Sequence, residues 1–465
     1  MMPNPDFVQM QSRSQQFLSQ AQGTIAQENT IALLTLLQQW RLMLGDYGRQ
    51  ALQKLPEAHQ ADWLGVIFWL LQQGDFQSRW DAAKFLPDFG SAAIKPLLDS
   101  LDDETVDPDS QWFIVRVLVE YQHPEIVPSL LKLLQKSPSE DLQAAAVDAL
   151  SQMGPKVLPE LKILLDRPET RPLGVMILAQ IRHSETVPML LPLAQDECPE
   201  VRVIILEALS SFHQQAIAEI LHQGLQDPAA KVRLTAVRGV GFCWQDAPTI
   251  DWVKALQPLL YDLDVQVCGQ AALALGKLGS ESAITALLAP LSSPHTPSLL
   301  AAEIFRALVW TESPQALTAI QNGWNNWPLD LAARSALCAA LGQLEKPENR
   351  QAASAILLIW LQNAVNQPDS VQESEASFNQ CLINQFLGAA IYAIGQLGQP
   401  DAIAALVQLL GYPATGLRLH LIAALKRIDA TQAHAQLRQL AQAPESQPSM
   451  GNELAAGIQI ALQEW

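Results

Sequence analysis

Apolar residues recur along this chain at helical spacing, and polar turns break them at near-constant intervals. Glu200-Val201-Arg202-Val203 opens an apolar stretch that ends near Phe212, and Lys231-Val232-Arg233-Leu234 opens another that ends near Cys243. Asp264-Val265-Gln266-Val267 opens a third, running through Ala271 to Gly279. Each is followed by a second apolar stretch, such as Ala283 to Leu288. Apolar positions three and four apart predict amphipathic helices, two per unit. Arg202 and Arg233 are 31 residues apart. A period of that size is one helical hairpin, which buries its apolar face only by stacking on the next.

One position, just inside the second helix of each hairpin, tracks the repeat through Arg79, Gln111, Gln143, Arg171, Arg202, Arg233, Cys268, Leu299, Arg334, Leu387 and Arg418. Gly90, Gly154, Gly279 and Gly398 stand where that helix ends, which predicts left-handed glycine stops. Pro96, Pro128, Pro159 and Pro188 fall in the first turn of the next helix, where an amide has no intrahelical acceptor to lose. No strand-like alternation of useful length interrupts the pattern. The expected fold is therefore all-α, a right-handed α-solenoid of about eleven helical hairpins with capping helices at both ends.

The boundaries follow from where the pattern fades. Residues 1–27 read as a loose N-terminal segment and 28–74 as capping helices; the repeats span 75–361 and 381–443. Between them, Gln362 to Gln380 is polar and acidic and reads as a flexible insertion. Residues 444–465 form a turn and a last capping helix.

Composition narrows the partners. Lys plus Arg number 29 against 47 Asp plus Glu, a formal charge of −18. A body this acidic lacks the basic footprint that phosphate backbones and anionic membranes require, so nucleic acid is not an expected partner. The most apolar window, Trp63 to Leu71, is far short of the roughly 20 residues that span a bilayer, so no membrane insertion is expected. The 5 cysteines (Cys198, Cys243, Cys268, Cys338 and Cys381) form no CxxC pair, and several sit in apolar helical patterns. That usage fits a reducing, cytoplasmic setting.

The pattern Asp-x-x-Val-Arg-x-x-Ala-x-x-Ala-Leu-Gly-x-Leu-Gly, a short turn, then Ala-x-x-x-Leu-x-x-Leu-Leu, resembles the HEAT repeat. More narrowly it resembles the HEAT-like repeat of the phycobilisome lyase group. Asp264 to Leu288 carries the match most fully, and Asp227 to Val240 and Asp401 to Leu410 repeat parts of it. The resemblance implies a scaffold or assembly factor that binds another protein on its concave face, a phycobiliprotein being the antenna partner. The alternative it implies is a lyase that attaches a bilin to a phycobiliprotein cysteine, and only there is a bilin cofactor expected. Deoxyhypusine hydroxylases, also HEAT-like, carry repeated His-Glu dipeptides. None of the 8 histidines here is followed by Glu, which excludes that di-iron chemistry. No catalytic constellation and no metal-ligand spacing stand out.

Three groups of residues are the binding candidates. Arg79, Arg171, Arg202 and Arg233 place cations at helix starts, where the dipole disfavours them. Either they pair with turn aspartates such as Asp196 and Asp227, or they line a surface that grips acidic protein or bilin propionates. Trp80 and Trp112 each follow the tracked position by one residue, so they share a column. They either close the end of the stack or form a docking patch. Trp324 and Trp327 fall within one turn, Trp324-Asn325-Asn326-Trp327-Pro328, and either staple onto their own helices or face a partner.

Overall fold

A computed structural model describes residues 5–44, 52–53, 55–366, 376–412, 415–442 and 452–465. Among them the regular structure is entirely helical, an all-α solenoid of stacked hairpins. The chain forms two compact units, Met1–Phe212 and His213–Trp465.

The first unit opens with α1 (Pro5–Ile25), α2 (Thr30–Leu44) and α3 (Glu57–Gln73). Residues 5–25, expected to be loose, are helical, and α1 is anchored by a deeply buried polar group. The hydroxyl of Ser14 accepts from the indole nitrogens of both Trp40 and Trp63, at 3.1 Å each. The two rings stack at 3.8 Å, so one oxygen satisfies two buried donors that would otherwise each cost desolvation energy.

Hairpins follow: α4 (Phe76–Ala83), α5 (Ile94–Asp102), α6 (Pro108–Leu118), α7 (Ile126–Lys136), α8 (Glu140–Gln152), α9 (Leu158–Leu165), α10 (Arg171–Ile181), α11 (Val187–Leu190) and α12 (Pro199–Leu209). Helices α4, α6, α8, α10 and α12 pack side by side in one layer, with α5, α7, α9 and α11 behind them. Leu161, Leu164, Ile177 and Leu178 are fully buried between the layers, each contributing about 1.5–3 kcal/mol.

The second unit repeats the scheme. Its helices are α13 (Gln215–Gly224), α14 (Ala230–Cys243), α15 (Trp252–Leu256), α16 (Val265–Leu278), α17 (Glu281–Leu288), α18 (Ser298–Trp310), α19 (Pro314–Gly323), α20 (Leu331–Leu341), α21 (Pro347–Asn366), α22 (Ala376–Leu397), α23 (Ala402–Gln408), α24 (Thr415–Ala441) and α25 (Asn452–Gln463). The tight layer here is α14, α16, α18, α20, α22 and α24. These helices approach through small residues. A Cβ on Gly276 would lie 2.9 Å from both Cβ and the carbonyl oxygen of Ala307, and one on Gly395 would lie 3.1 Å from Cβ of Ala424. The span of α24 is two helices joined at Asp429, whose backbone is extended (φ −158°) and whose carboxylate caps the following segment at Gln432.

The four glycine stops are left-handed as expected, with φ of 59° at Gly90, 68° at Gly154, 61° at Gly279 and 64° at Gly398. Gln122, Arg182 and Glu312 occupy the same conformation without glycine's freedom (φ 46°, 46° and 45°). One register residue falls elsewhere: Leu387 lies in the middle of α22 rather than just inside a helix, because α22 begins at Ala376. The expected insertion is correspondingly helical at both ends, to Asn366 and from Ala376, and its middle, 367–375, lies outside the described residues. So does most of the expected turn after residue 443. The last helix, α25, caps the stack closely: a Cβ on Gly457 would lie 2.1 Å from the carbonyl oxygen of Leu410.

Candidate functional site

The tracked column comes out as one recurring place in the fold. Arg79, Gln111, Gln143, Arg202 and Arg233 each lie four residues past the N-cap residue of their helix. From there the side chain turns back to the end of the preceding segment. Arg79 Nε donates to the Gly74 carbonyl at 2.8 Å, Gln111 Nε2 to Leu101 at 3.2 Å and Gln143 Nε2 to Ser137 at 2.8 Å. Arg202 donates to the Asp196 carbonyl at 2.7 Å and Arg233 to that of Asp227 at 2.8 Å. Even Cys268 follows the rule, its thiol directed at the Asp262 carbonyl at 3.2 Å. The dipole argument is thereby resolved. Each cation meets the carbonyl-rich end of the helix before it, where positive charge is favoured.

Three arginines also reach forward one repeat. Arg79 pairs with Asp107 at 3.0 Å, Arg171 with Asp196, and Arg233 with both oxygens of Asp262 at 2.7 and 2.8 Å. The hydrogen bond from Arg233 leads the effects that hold the Asp262 carboxyl below the usual carboxylate range, and Asp262 in turn raises the Arg233 guanidinium. Burial opposes ionisation of Asp107, yet Ser110 and Arg79 hold its carboxyl low as well. The expected row of guanidinium groups lining an open, gripping surface is therefore corrected. Arg79, Arg171, Arg202 and Arg233 are turn locks whose donors face the fold.

Trp324 and Trp327 are likewise inside, only 6% and 8% exposed. Trp324 stacks on Trp360 at 3.7 Å with an interplanar angle of 8°, and Arg334 lies over the ring at 4.5 Å. Burial lowers the pKa of that guanidinium. Trp327 sits 6.0 Å from Phe305 and packs so closely on Gly323 that a Cβ there would fall 2.2 Å from the indole. These two indoles staple α19 to α18, α21 and α22, which leaves them unable to dock a partner.

Trp80 and Trp112 are different. They share a face of adjacent helices, α4 and α6, as their common column requires. Phe76 stacks on Trp80 at 6.5 Å, and Phe113, buried beneath, meets Phe76 at 5.3 Å, Trp80 at 6.4 Å and Trp112 at 5.1 Å. Phe76 is 66% exposed and Trp80 39%. Beside them runs a groove of about 650 Å³ lined by Phe76, Trp112 and Phe113, with Asp75, Asp109, Asp141 and Asp148 around it. Of the two arginines in this lining, Arg79 is tied to Asp107, and Arg116 lies over the Trp112 ring at 5.4 Å. Aromatic rings and carboxylates thus line the groove together.

A second groove, of about 1110 Å³, lies in the other unit between α18 and α20. Ala302, Ala336, Ala339 and Ala340 line it together with Trp310, which is 59% exposed. Its only trace in the sequence is alanine at 336, 339 and 340, which puts small residues on one helical face, and a tryptophan at a helix end.

Residues 105–173 and 217–304 match the family model of HEAT repeats, and residues 387–412 match that of the PBS lyase HEAT-like repeat. These segments are HEAT repeats. The turn locks at Gln111, Gln143, Arg233 and Cys268 lie within the HEAT segments. The chain is similar in structure to a Kap121p mutant, at 12% identity and a TM-score of 0.50, over 89% of this chain and 52% of that one. It spans about half the length of that protein. Importin beta matches at 14% identity and a TM-score of 0.43, over 91% of this chain and 62% of that one. Human deoxyhypusine hydroxylase matches at 21% identity and a TM-score of 0.24, over 54% of this chain and 96% of that one. At these identities the likeness to Kap121p is one of fold. No curated protein matches by sequence.

Proposed function

We propose that this chain is a protein-binding scaffold that holds its partner in the aromatic groove of the first unit. The observation that carries the proposal is the platform of exposed Phe76 and Trp80 with half-buried Trp112 beside them, which the fold leaves accessible while it buries Trp40, Trp63, Trp324 and Trp327. Contiguous exposed aromatics rimmed by polar groups are what binding hot spots are made of. The acidic lining, on a chain of net charge −18, selects a partner segment with an apolar anchor beside lysine or arginine. No helix among the described residues is long and apolar enough to cross a membrane, and the cytoplasm is where we place the activity. Tagged wild-type chain and the W80A/W112A variant, recovered from the native cell and compared by quantitative mass spectrometry, test the proposal. It predicts a partner depleted at least tenfold with the variant, and an unchanged set of bound proteins would contradict it.

The finer reading, an antenna-associated factor whose partner is a phycobiliprotein, is favoured by the PBS lyase HEAT-like match at 387–412. The same purification tests it, since phycobiliprotein subunits would then head the recovered set. A bilin lyase would need free cations for the propionates of its chromophore. Arg202 and Arg233 have donors engaged in their own turns and in the next repeat, so these residues do not fit the group.

A further inference from the structure

His213, Cys243 and Asp246 converge at the first hairpin of the second unit. His213 stands two residues before α13, Cys243 is the last residue of α14, and Asp246 ends the short 3-10 turn that follows. Thiol and carboxylate are thus three residues apart at a helix end, with the imidazole brought over from the other end of the hairpin. His213 Nδ1 lies 3.1 Å from Asp246 Oδ2, and the three potential ligand atoms all lie within 4.8 Å of one another.

Imidazole, thiolate and carboxylate are the side-chain ligands of zinc, at about 2.0–2.3 Å from the metal, which places ligand atoms of a tetrahedral site about 3.3–3.8 Å apart. The imidazole–carboxylate separation is already near that value. A surface His–Asp pair by itself needs no cysteine. Here the pair sits over a fully buried thiol, with the His213 side chain 66% exposed and that of Asp246 24% exposed as a path of entry. We propose that His213, Cys243 and Asp246 form a zinc site with three protein ligands and a fourth position open to water.

Burial, with Asp246 adding to it, pushes the Cys243 thiol up to about 11, so the thiol carries its proton in the metal-free chain. Zinc binding forms the Zn–S bond as the S–H bond breaks, and that proton leaves to solvent. The metal would then clip the loop before α13 to the end of α14, closing one hairpin on itself. No metal is expected from CxxC or His-Glu spacings; the trace of this site in the sequence is Cys243-x-x-Asp246, a helix-end i, i+3 pair, with a histidine one hairpin length before it.

The test uses the full chain, stripped with a chelator and titrated with Co²⁺. The proposal expects one equivalent to bind with a thiolate-to-cobalt charge-transfer band and the intense visible absorption of a four-coordinate ion, both lost when Zn²⁺ is added. C243S should lose the charge-transfer band. H213A, at an exposed position where folding is not at risk, and D246N should each weaken cobalt uptake at least tenfold, and H183A should leave it unchanged. Absence of the band in the wild-type chain, its persistence in C243S, or wild-type affinity in H213A and D246N would each overturn the proposal.

Discussion

Arg233 donates to both carboxylate oxygens of Asp262, 29 residues further along, while its other nitrogen closes its own turn on the Asp227 carbonyl. One side chain therefore binds the preceding segment and the next repeat together. Both partners are largely buried, with side chains 15% and 7% exposed. We predict that R233A and D262A each destabilise the chain by about 2 kcal/mol. A double-mutant cycle on urea unfolding should return a coupling of about 1 kcal/mol or more. Additive losses would show that the two groups act separately.

The same pair gives the stability a pH dependence of known sign. The Asp262 carboxyl is held low by Arg233 first of all. A carboxylate depressed in the folded state contributes its stability above the unfolded value of about 3.9 and loses it as the pH falls through the folded value. Urea midpoints should therefore fall as the pH is lowered from about 6 to about 3. D262N should start lower at the upper end and converge on the wild type toward the lower end.

Trp324 is a core residue, and its removal should show it. W324A takes away the ring that stacks on Trp360 and lies under Arg334, a loss of about 3–5 kcal/mol by the measure of large-to-small core substitutions. Thermal unfolding followed by circular dichroism should fall by several degrees. An unchanged melting temperature would return Trp324 to the list of docking residues.

Close approach of α16 and α18 makes glycine at position 276 necessary. G276A would drive a methyl to 2.9 Å from the Ala307 Cβ and carbonyl oxygen, backbone that cannot rotate away. A loss of about 1–3 kcal/mol is expected. Combining it with A307G removes one of the two clashes, so partial recovery of the urea midpoint is the outcome to look for.

The repeat was readable from sequence because its punctuation is local. A left-handed stop at Gly279 and a proline in the first turn at Pro159 depend on nothing beyond the neighbouring residues. Side-chain direction was not readable. The arginine column looked unfavourable when weighed against its own helix, whereas the dipole that matters belongs to the preceding one. The burial of Trp324 depends on Trp360 and Phe386, which no local pattern ties to it. The start of α22 was missed because polar residues at 376–380 read as loop. The Trp80 and Trp112 column was legible as a shared face, but whether anything covers that face is a property of the folded unit.

The most direct test of the scaffold reading is calorimetric titration of the full chain with a short peptide selected against it from a displayed library. The account predicts that the selected peptide carries an apolar anchor beside lysine or arginine. It also predicts that W80A/W112A weakens binding by about tenfold or more, with the melting temperature essentially unchanged. Equal affinity for wild type and variant would place the partner elsewhere and contradict the account.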